Sequence, residues 1–332
     1  MIKIAQIGMN QYSHGIQVFE TLRMRPDVFD VAGYCLVENE RETCTRRLKY
    51  FDGYPELTLE AILEDPTIEA VTVETDEVHL LQYAKLALEH GKHVHMEKPG
   101  SPSLAAFEEL VGLARAKGLV LHLGYMYRYN PMVRELLEKI RRGDLGEILS
   151  VEAQMNCYLD LKARTWLGTL PGGMMFYLGC HLVDLVMQMQ GAPLRVIPMN
   201  KRTGSDGTES VDFGMAVLEY PRGNSFVKTT AVERGGFRRR QLVVTGTQGM
   251  VELKPLEVVD PAKSRICHTA WQEYGMTDTW HTKGIRRDSE PFDRYEAMLL
   301  AFVDMAQGRA QNPYSYDYEI ELFRTLTQCV AE

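Results

Sequence analysis

The feature that most constrains this chain is the alternation of short apolar runs with helical stretches over its first ~122 residues. The predicted strands are residues 2–7, 31–37, 70–75, 93–97 and 119–125. The predicted helices between them are, approximately, residues 13–24, 57–63, 79–90 and 104–117. Strands that alternate with helices in this way predict a parallel, doubly wound α/β sheet.

The pattern changes after one more predicted helix, at 131–142. The strand-like segments that follow are 148–159, 194–201, 211–220, 225–233, 240–246 and 250–254. Turn-forming residues at 221–224 and 246–249 separate several of them, which indicates a mostly antiparallel sheet. One long helix at about 174–189 interrupts the strands, and two helices at roughly 291–307 and 315–330 close the chain. We therefore expect an α/β domain at 1–122 and an α+β domain at 123–332.

Composition and charge exclude several classes of protein. The net charge of −8 argues against a general affinity for nucleic acid or acidic membranes, and the run at 238–240 is interpreted as a solvated strand edge. The six cysteines show neither CxxC pairs nor metal-ligand spacing, so we expect thiols in a reducing compartment and no metal site. A start without a signal-peptide pattern, and the lack of an apolar run of ~20 residues, predict a cytoplasmic protein.

The strongest local signal is the stretch ALEHGKHVHMEKP at residues 87–99. A helix is expected to end at Gly91, and the following strand carries Glu97 and Lys98 to its carboxyl edge, where Pro99 fixes the turn. Open parallel sheets bind ligands at the carboxyl ends of their strands, where a lysine can donate to a substrate hydroxyl. From the residues alone, a surface Glu–Lys pair is an equally good interpretation.

This stretch resembles the GKHVxxEKP signature of the Gfo/Idh/MocA oxidoreductases, the glucose–fructose oxidoreductase and inositol dehydrogenase family. Three further segments resemble the same family in the same order. They are GYMYRYNP with IRRGDLGEI (124–131 and 140–148), GGMMFYLGCHLVD (172–184) and RQLVVTGTQGMVEL (240–253). The resemblance thus covers nearly the whole chain.

The resemblance implies a Rossmann domain followed by an α+β domain whose open sheet forms a homo-dimer or homo-tetramer. It implies hydride transfer between NAD(P) and a hydroxyl-bearing carbon of a sugar, cyclitol or related polyol. Lys98 is implied to bind the reacting hydroxyl and His181 to move the proton. The family's aspartate is replaced by Tyr177, a phenol that donates a hydrogen bond but holds no charge beside a histidinium. By helical spacing Tyr177, His181 and Asp184 share one face.

The stretch IGMNQYSHG at residues 7–15 lies where a dinucleotide-binding loop is expected. Gly8 keeps the first glycine, whereas Asn10 stands at the second position and is expected to tolerate a positive φ there. Ser13 stands at the third position and is expected to cap the following helix, while Gly15 is out of register. A phosphate loop of the GxxxxGK[ST] kind is excluded because no lysine follows Gly15.

The remaining candidate contacts lie on the cofactor side or the substrate side. Glu38 is expected to accept from a ribose hydroxyl and favour NAD, whereas the nearby Arg41 keeps NADP possible. The candidate cofactor contacts are Gly8, Asn10, Gln11, Tyr12, Glu38, Thr75, Asp76, Glu97 and Lys98. The candidate substrate contacts are Arg128, Tyr158, Arg164, Trp166 and Asp184.

Two other functions stay open from the sequence. The tyrosine at position 177 and the altered loop would also suit a catalytically impaired or regulatory binding protein of the same fold. A lyase-like protein that recycles tightly bound NAD is the third possibility.

Overall fold

The structure, a computed structural model, describes residues 1–277 and 279–331. It divides into two compact units. The first comprises residues 1–125 and 295–320, and the second comprises residues 126–294 and 321–332, of which the last is not described. The domain boundary expected between residues 122 and 123 stays a prediction.

The strands of the described residues are numbered in chain order. They are β1 (Ile2–Ile7), β2 (Phe29–Cys35), β3 (Ala70–Val73), β4 (His93–Met96), β5 (Leu121–Leu123), β6 (Ile148–Asn156), β7 (Arg195–Pro198), β8 (Phe213–Tyr220), β9 (Gly223–Thr230), β10 (Gln241–Gly246), β11 (Gly249–Leu253), β12 (Val258–Asp260), β13 (Lys263–His268), β14 (Ala270–Gly275), β15 (Ile285–Asp288) and β16 (Phe292–Asp293).

The α-helices of the described residues are numbered in the same way. They are α1 (Gly15–Met24), α2 (Glu40–Thr43), α3 (Leu59–Glu64), α4 (Leu80–Glu89), α5 (Leu104–Lys117), α6 (Pro131–Arg141), α7 (Leu161–Leu167), α8 (Cys180–Gln190), α9 (Glu296–Ala306) and α10 (Tyr316–Cys329). Tighter 3₁₀ turns include Thr45–Phe51 and Gly236–Arg239, and a π-helical turn covers Met175–Gly179.

The first unit is built on a parallel sheet with strand order β2-β1-β3-β4-β5. All residues of β3 are buried, as expected for a central strand covered on both faces. The helix α5 follows the start and stop signals of its sequence: the Ser103 hydroxyl accepts from the Ala106 amide, and Gly118 ends the helix with φ +63°. The predicted doubly wound sheet is confirmed.

The second unit contains a larger sheet with order β15-β14-β11-β10-β6-β9-β8-β7 and a small one with order β12-β13-β16. Neighbouring strands of the larger sheet run antiparallel except β6 and β9, which are parallel. The hairpin β8–β9 turns at residues 221–222 and β10–β11 at 247–248, because Tyr220 pairs with Gly223 and Gly246 pairs with Gly249. The predicted, mostly antiparallel α+β fold is confirmed.

The structure also corrects three details. Strands occupy much of residues 258–293, for which no elements were predicted, and the helix expected from 291 begins at Glu296. In the run 238–240, Arg238 and Arg239 are exposed as expected but lie in a 3₁₀ turn and not on a strand, whereas Arg240 is buried against Glu257 and precedes β10. A buried guanidinium of this kind is retained only with a charged partner, which the local sequence does not show.

Candidate active site

The loop after β1 approaches the end of β3 very closely. Gly8 has φ +85°, and a Cβ built on it would lie 2.8 Å from the Cβ of Thr75. Its amide donates to the carbonyl of Cys35 at 2.8 Å. Only glycine satisfies both the backbone conformation and the contact. This loop therefore needs the one fingerprint glycine that it keeps.

Asn10 does not take the positive φ that was expected of it, since the non-glycine residues of the described chain with positive φ are Glu38 and Asp206. Its side chain instead shapes the loop. Nδ2 donates to Oδ2 of Asp76 at 2.8 Å, and Oδ1 accepts from the Tyr12 amide at 2.6 Å. The Asp76 carboxylate is therefore held by Asn10.

The carbonyl side of the same loop is held by the 3₁₀ turn Thr45–Phe51. The Arg47 guanidinium donates to the carbonyl of Asn10 at 3.0 Å and also to the carbonyl of Gln11. The Cys44 thiol donates to the carbonyl of Met9 at 2.8 Å. In the usual fingerprint, glycines determine the shape of this loop. Here, side chains distant in the sequence hold its backbone.

The third fingerprint position is corrected as well. The N-cap of α1 is His14, not Ser13, and the helix begins at Gly15. The Ser13 hydroxyl donates to the carbonyl of Glu74 at 2.9 Å, while a Cβ on Gly15 would lie 3.1 Å from the Cβ of Glu74. Gly15, dismissed as out of register, therefore provides the close contact between helix and strand.

Glu38 lies beyond the end of β2 in a left-handed conformation, with φ +51°. Its carboxylate accepts from the Tyr83 hydroxyl at 2.7 Å and lies 3.9 Å from Nδ1 of His79. Arg41 forms an ion pair with Glu56. Glu38, which is expected to favour NAD, is therefore exposed but oriented by Tyr83. Arg41, which is expected to keep NADP possible, is paired with Glu56.

Lys98 and Glu97 lie directly after β4, at the carboxyl edge of the parallel sheet. Their side chains are 1% and 3% exposed, and Nζ of Lys98 is 3.6 Å from Oε1 of Glu97. The same oxygen accepts from the Lys98 amide at 3.0 Å. A buried ammonium next to a carboxylate is a preorganised donor, which is the arrangement expected of a residue that binds a hydroxyl group.

Two further carboxyl groups, missed by sequence reasoning, lie close to this lysine. Burial raises the pKa of Glu74 well above its usual value, with a further rise from Glu97 and an opposing effect of Lys98. Burial likewise raises the pKa of Glu77 to about 8. Polar residues after an apolar parallel strand were the available signal, since both follow β3 in the run AVTVETDE.

These residues also provide a test of whether the site suits a dinucleotide. All four carboxyl oxygens of Glu74 and Glu77 are buried and accept no hydrogen bond from another of the described residues. Helix α1 has no acidic residue in its own first turn, although the carboxylate of Glu97 lies 3.0 Å from Nδ1 of its N-cap residue His14. The close approach at Gly8 and these unused polar atoms fit a bound nicotinamide dinucleotide.

In the second unit, Tyr177 lies in the π-helical turn and His181 in the first turn of α8. Tyr177 is half-buried, with its ring 5.0 Å from that of Trp166 in a T-shaped contact. His181 is buried, with its ring 5.1 Å from that of Tyr127. The extra residue of a π turn alters the expected i, i+4 register of Tyr177 and His181.

Arg128 and Asp184, two of the predicted substrate contacts, are brought together as a buried pair. Nε and Nη2 of Arg128 donate to the carboxylate at 2.8–3.1 Å, and Nε2 of Gln188 donates to the same group at 2.8 Å. This pair links the 3₁₀ turn Met126–Tyr129 to α8. Its geometry favours support of the helix that carries His181, and a contact with substrate stays a prediction.

The other three predicted substrate contacts are dispersed. Arg164 is buried, donates to the carbonyl of Ser205 at 3.0 Å and pairs with Asp206. Tyr158 is exposed beneath the Arg234 guanidinium, which lies 4.1 Å from its ring centroid. Trp166 contacts Tyr177, as described above. Of these, Trp166 has the arrangement best suited to a role beside Tyr177.

In residues 1–277 and 279–331, no helix has the length and apolar character needed to cross a membrane. Nor do they contain a group of three or more His, Cys, Asp or Glu side chains that could hold a metal ion.

Comparison with protein families gives two matches that together cover most of the chain. Residues 2–125 match the oxidoreductase family with an NAD-binding Rossmann fold, and residues 133–252 match the GFO/IDH/MocA C-terminal domain.

Two of the individual relatives align over a smaller part of the chain. The chain is 36% identical over 135 residues to the uncharacterized oxidoreductase YhhX of Escherichia coli, covering 41% of this chain and 39% of that protein. It is 28% identical over 165 residues to the scyllo-inositol 2-dehydrogenase (NADP(+)) IolW of Bacillus subtilis, covering 49% and 46%. These matches therefore span less than half of each relative.

Among solved structures, the chain resembles KijD10, a 3-ketoreductase from Actinomadura kijaniata in complex with NADP and TDP-benzene. The TM-score is 0.79 at 18% identity, covering 98% of this chain and 95% of that structure. This likeness is one of fold.

Proposed function

Because the chain belongs to the GFO/IDH/MocA family of NAD(P)-binding oxidoreductases, we propose that it interconverts a hydroxyl and a carbonyl group on a sugar, cyclitol or related polyol. The buried ammonium of Lys98 at the carboxyl edge of the Rossmann sheet carries the proposal. The likeness to IolW, a scyllo-inositol 2-dehydrogenase, supports the substrate class.

The proposed chemistry divides between the cofactor and the side chains. When bound, the nicotinamide supplies the hydride in the reductive direction and accepts it in the oxidative direction. Lys98 binds the oxygen of the reacting hydroxyl or carbonyl group and stabilises its partial negative charge. His181 takes the hydroxyl proton in oxidation and returns it in reduction, because the ring nitrogens of an imidazole can accept and donate a proton.

Tyr177 occupies the place of the family's aspartate. We assign its phenol the orienting part of that role, since a hydroxyl donates a hydrogen bond without adding a charge. Its ring contact with Trp166 restricts the directions available to that hydroxyl. Trp166 then belongs to the substrate side, together with Tyr158 and Arg164 as proposed contacts.

Cofactor preference is proposed from the carboxylate of Glu38. An acidic group beyond β2 accepts from a ribose 2′-hydroxyl and repels a 2′-phosphate. The Tyr83 hydroxyl holds this carboxylate, and Arg41 is paired with Glu56. We therefore propose tighter binding of NAD(H), measured as the ratio of the two Kd values by fluorescence titration of NADH and NADPH.

The test of function is turnover with NAD and NADP against a panel of sugars, cyclitols and sugar acids. Lys98→Met keeps the apolar stem but removes the ammonium, so kcat/KM should fall at least roughly 100-fold. Lys85→Met, an exposed lysine in the same unit, is the matched control and should keep the activity. Thermal unfolding and cofactor titration verify that both variants fold and bind.

Three results would contradict part of the proposed function. Full activity of Lys98→Met would remove Lys98 from the reaction. A lack of turnover together with a lack of NAD(P)(H) binding at millimolar concentration would favour a binding or regulatory function. Cofactor that stays with the purified protein and is released only on denaturation would favour a reaction in which the cofactor is recycled.

A further inference from the structure

The Lys98 ammonium faces more than one carboxyl group within the first unit. Glu97 lies 3.6 Å from Nζ, and the carboxyl groups of Glu74 and Glu77 also act electrostatically on this lysine. A lysine side chain is a flexible stem with a point charge, so acids that compete for the ammonium would leave its position poorly defined. If Lys98 is to bind a substrate oxygen in a fixed position, a further contact must favour one of these carboxyl groups as the partner of the ammonium.

His14 contacts one of these three acids. Its Nδ1 lies 3.0 Å from Oε2 of Glu97, while Oε1 of the same carboxylate is the oxygen beside Lys98. The histidine comes from the cofactor loop and the glutamate from the end of β4, 83 residues later. One carboxylate therefore bridges the imidazole and the ammonium.

The surroundings of His14 hold its ring in this position. The imidazole makes no capping hydrogen bond to α1, although His14 is the N-cap residue of that helix. Its ring lies 5.4 Å from the ring of Tyr295, which precedes α9 and is itself buried. Its side chain is 24% exposed, so it also connects the buried Glu97–Lys98 pair to the surface.

We propose that His14 is a positioning residue, which holds Glu97 against Lys98 and thereby fixes the ammonium for the reacting oxygen. Nδ1 donates to Oε2, which turns Oε1 towards the lysine. The burial of Glu74 and Glu77 favours their neutral forms, which weakens their competition for the ammonium. The inference rests on the proposed role of Lys98 in the reaction.

The experiment compares two substitutions of His14, one that keeps a hydrogen-bond donor and one that keeps only the aromatic ring. His14→Asn places an amide donor where Nδ1 lies, whereas His14→Phe keeps an aromatic ring against Tyr295 without any donor. We expect kcat to fall roughly tenfold in His14→Phe, because a hydrogen bond to a charged group is lost, and to be within about threefold of the parent in His14→Asn. His90→Asn, an exposed histidine of the same unit, is the matched control.

A second readout does not depend on turnover. The ¹H–¹⁵N signal of the Lys98 ammonium, identified by its loss in Lys98→Met, reports how firmly that group is held in the cofactor-free protein. It should persist in His14→Asn and broaden or disappear in His14→Phe. A His14→Phe protein with the parent signal would overturn the positioning role, whether or not the enzyme turns over the proposed substrates.

The two readouts also separate the hypotheses. If the ammonium signal responds as expected but no substrate of the panel reacts, the positioning of Lys98 stands and the substrate class is wrong. If the enzyme is active and both His14 variants match the parent in kcat and in the signal, the proposed function stands and the inference about His14 is wrong.

Discussion

Glu77 shows how one buried side chain can make the stability of a unit depend on pH. Both carboxyl oxygens are buried and accept no hydrogen bond from another of the described residues, and burial raises the pKa of Glu77 from 4.5 to about 8. The folded state therefore binds a proton that the unfolded state releases between these pH values. This contribution to stability is full below pH 4.5 and is lost as the pH rises towards 8.

We predict that Glu77→Gln removes this pH dependence, because the amide is neutral at every pH. The variant and the parent should have similar unfolding free energies at pH 5, and the variant should be more stable by about 3 kcal/mol at pH 8. Calorimetric unfolding at both values measures the difference. The exposed Glu89→Gln should leave the dependence as it is, and a parent protein equally stable at both values would contradict the prediction.

At the same scale, the sequence indicated Glu97 and Lys98 at a strand end, and the family resemblance implied the role of Lys98, but neither indicated Glu74, Glu77 or His14. The lysine was visible because a charged residue follows a short apolar strand and precedes a proline. His14 was not visible, because its partner Glu97 is 83 residues away and no local pattern encodes that contact. Whether His181 carries the proton stays a prediction at this scale.

At the scale of an element, the cofactor loop replaces glycines with side-chain contacts. Arg47 donates to the carbonyls of Asn10 and Gln11, and Asn10 in turn binds Asp76. The loop keeps its shape only as long as these partners remain, because its backbone has one fingerprint glycine instead of three. Its affinity for a pyrophosphate should therefore depend on a residue outside the fingerprint.

We predict that Arg47→Met raises the Kd for NADH roughly tenfold, since two charge-assisted hydrogen bonds to the loop are lost. Arg46→Met makes the same chemical change at the neighbouring exposed position and should bind as the parent does. Titration of NADH fluorescence measures both variants. Equal Kd values for the two variants would show that the loop does not need Arg47.

The helix that carries His181 was predicted from the sequence, but its internal irregularity was not. Apolar spacing correctly indicated a helix near residues 174–189, with Leu182 and Leu185 buried. It could not indicate the π-helical turn at Met175–Gly179, because this segment is buried on nearly all sides and its apolar residues do not mark one face whose shift would show an inserted residue. The strands between residues 258 and 293 were missed for a related reason, since short and half-exposed strands lack a clear alternation of apolar residues.

At the scale of the whole molecule, Glu77 in the first unit and Glu257 in the second contribute to stability with opposite dependences on pH. In the second unit, Glu257 accepts from the Tyr127 hydroxyl at 2.6 Å and pairs with Arg240 and Arg294. Burial alone would raise the pKa of Glu257, but the two arginines lower it from 4.5 to about 2. This contribution to stability is present above pH 4.5 and is lost as the pH falls towards 2.

We predict that acid unfolds the second unit through this group, with a loss of about 3 kcal/mol between neutral pH and pH 2. The three tryptophans, at positions 166, 271 and 280, lie in that unit, so their fluorescence reports its unfolding. Glu257→Gln should lower the free energy of unfolding at pH 7 and make it depend less on pH between neutral pH and pH 2. If the free energy of unfolding of this variant falls as steeply in acid as that of the parent, other carboxyl groups cause the effect.

By itself, the amino-acid sequence determined the two fold classes, the order of their main elements and the family, because these follow from apolar periodicity and from motifs of adjacent residues. It also placed Gly8 and Lys98 at the carboxyl edge of a parallel sheet. Only the tertiary structure decided which side chains meet there: His14 with Glu97, Arg47 with the loop, and Arg128 with Asp184. The physical reason is that such contacts depend on how distant segments pack, and a buried charge finds its partner in space.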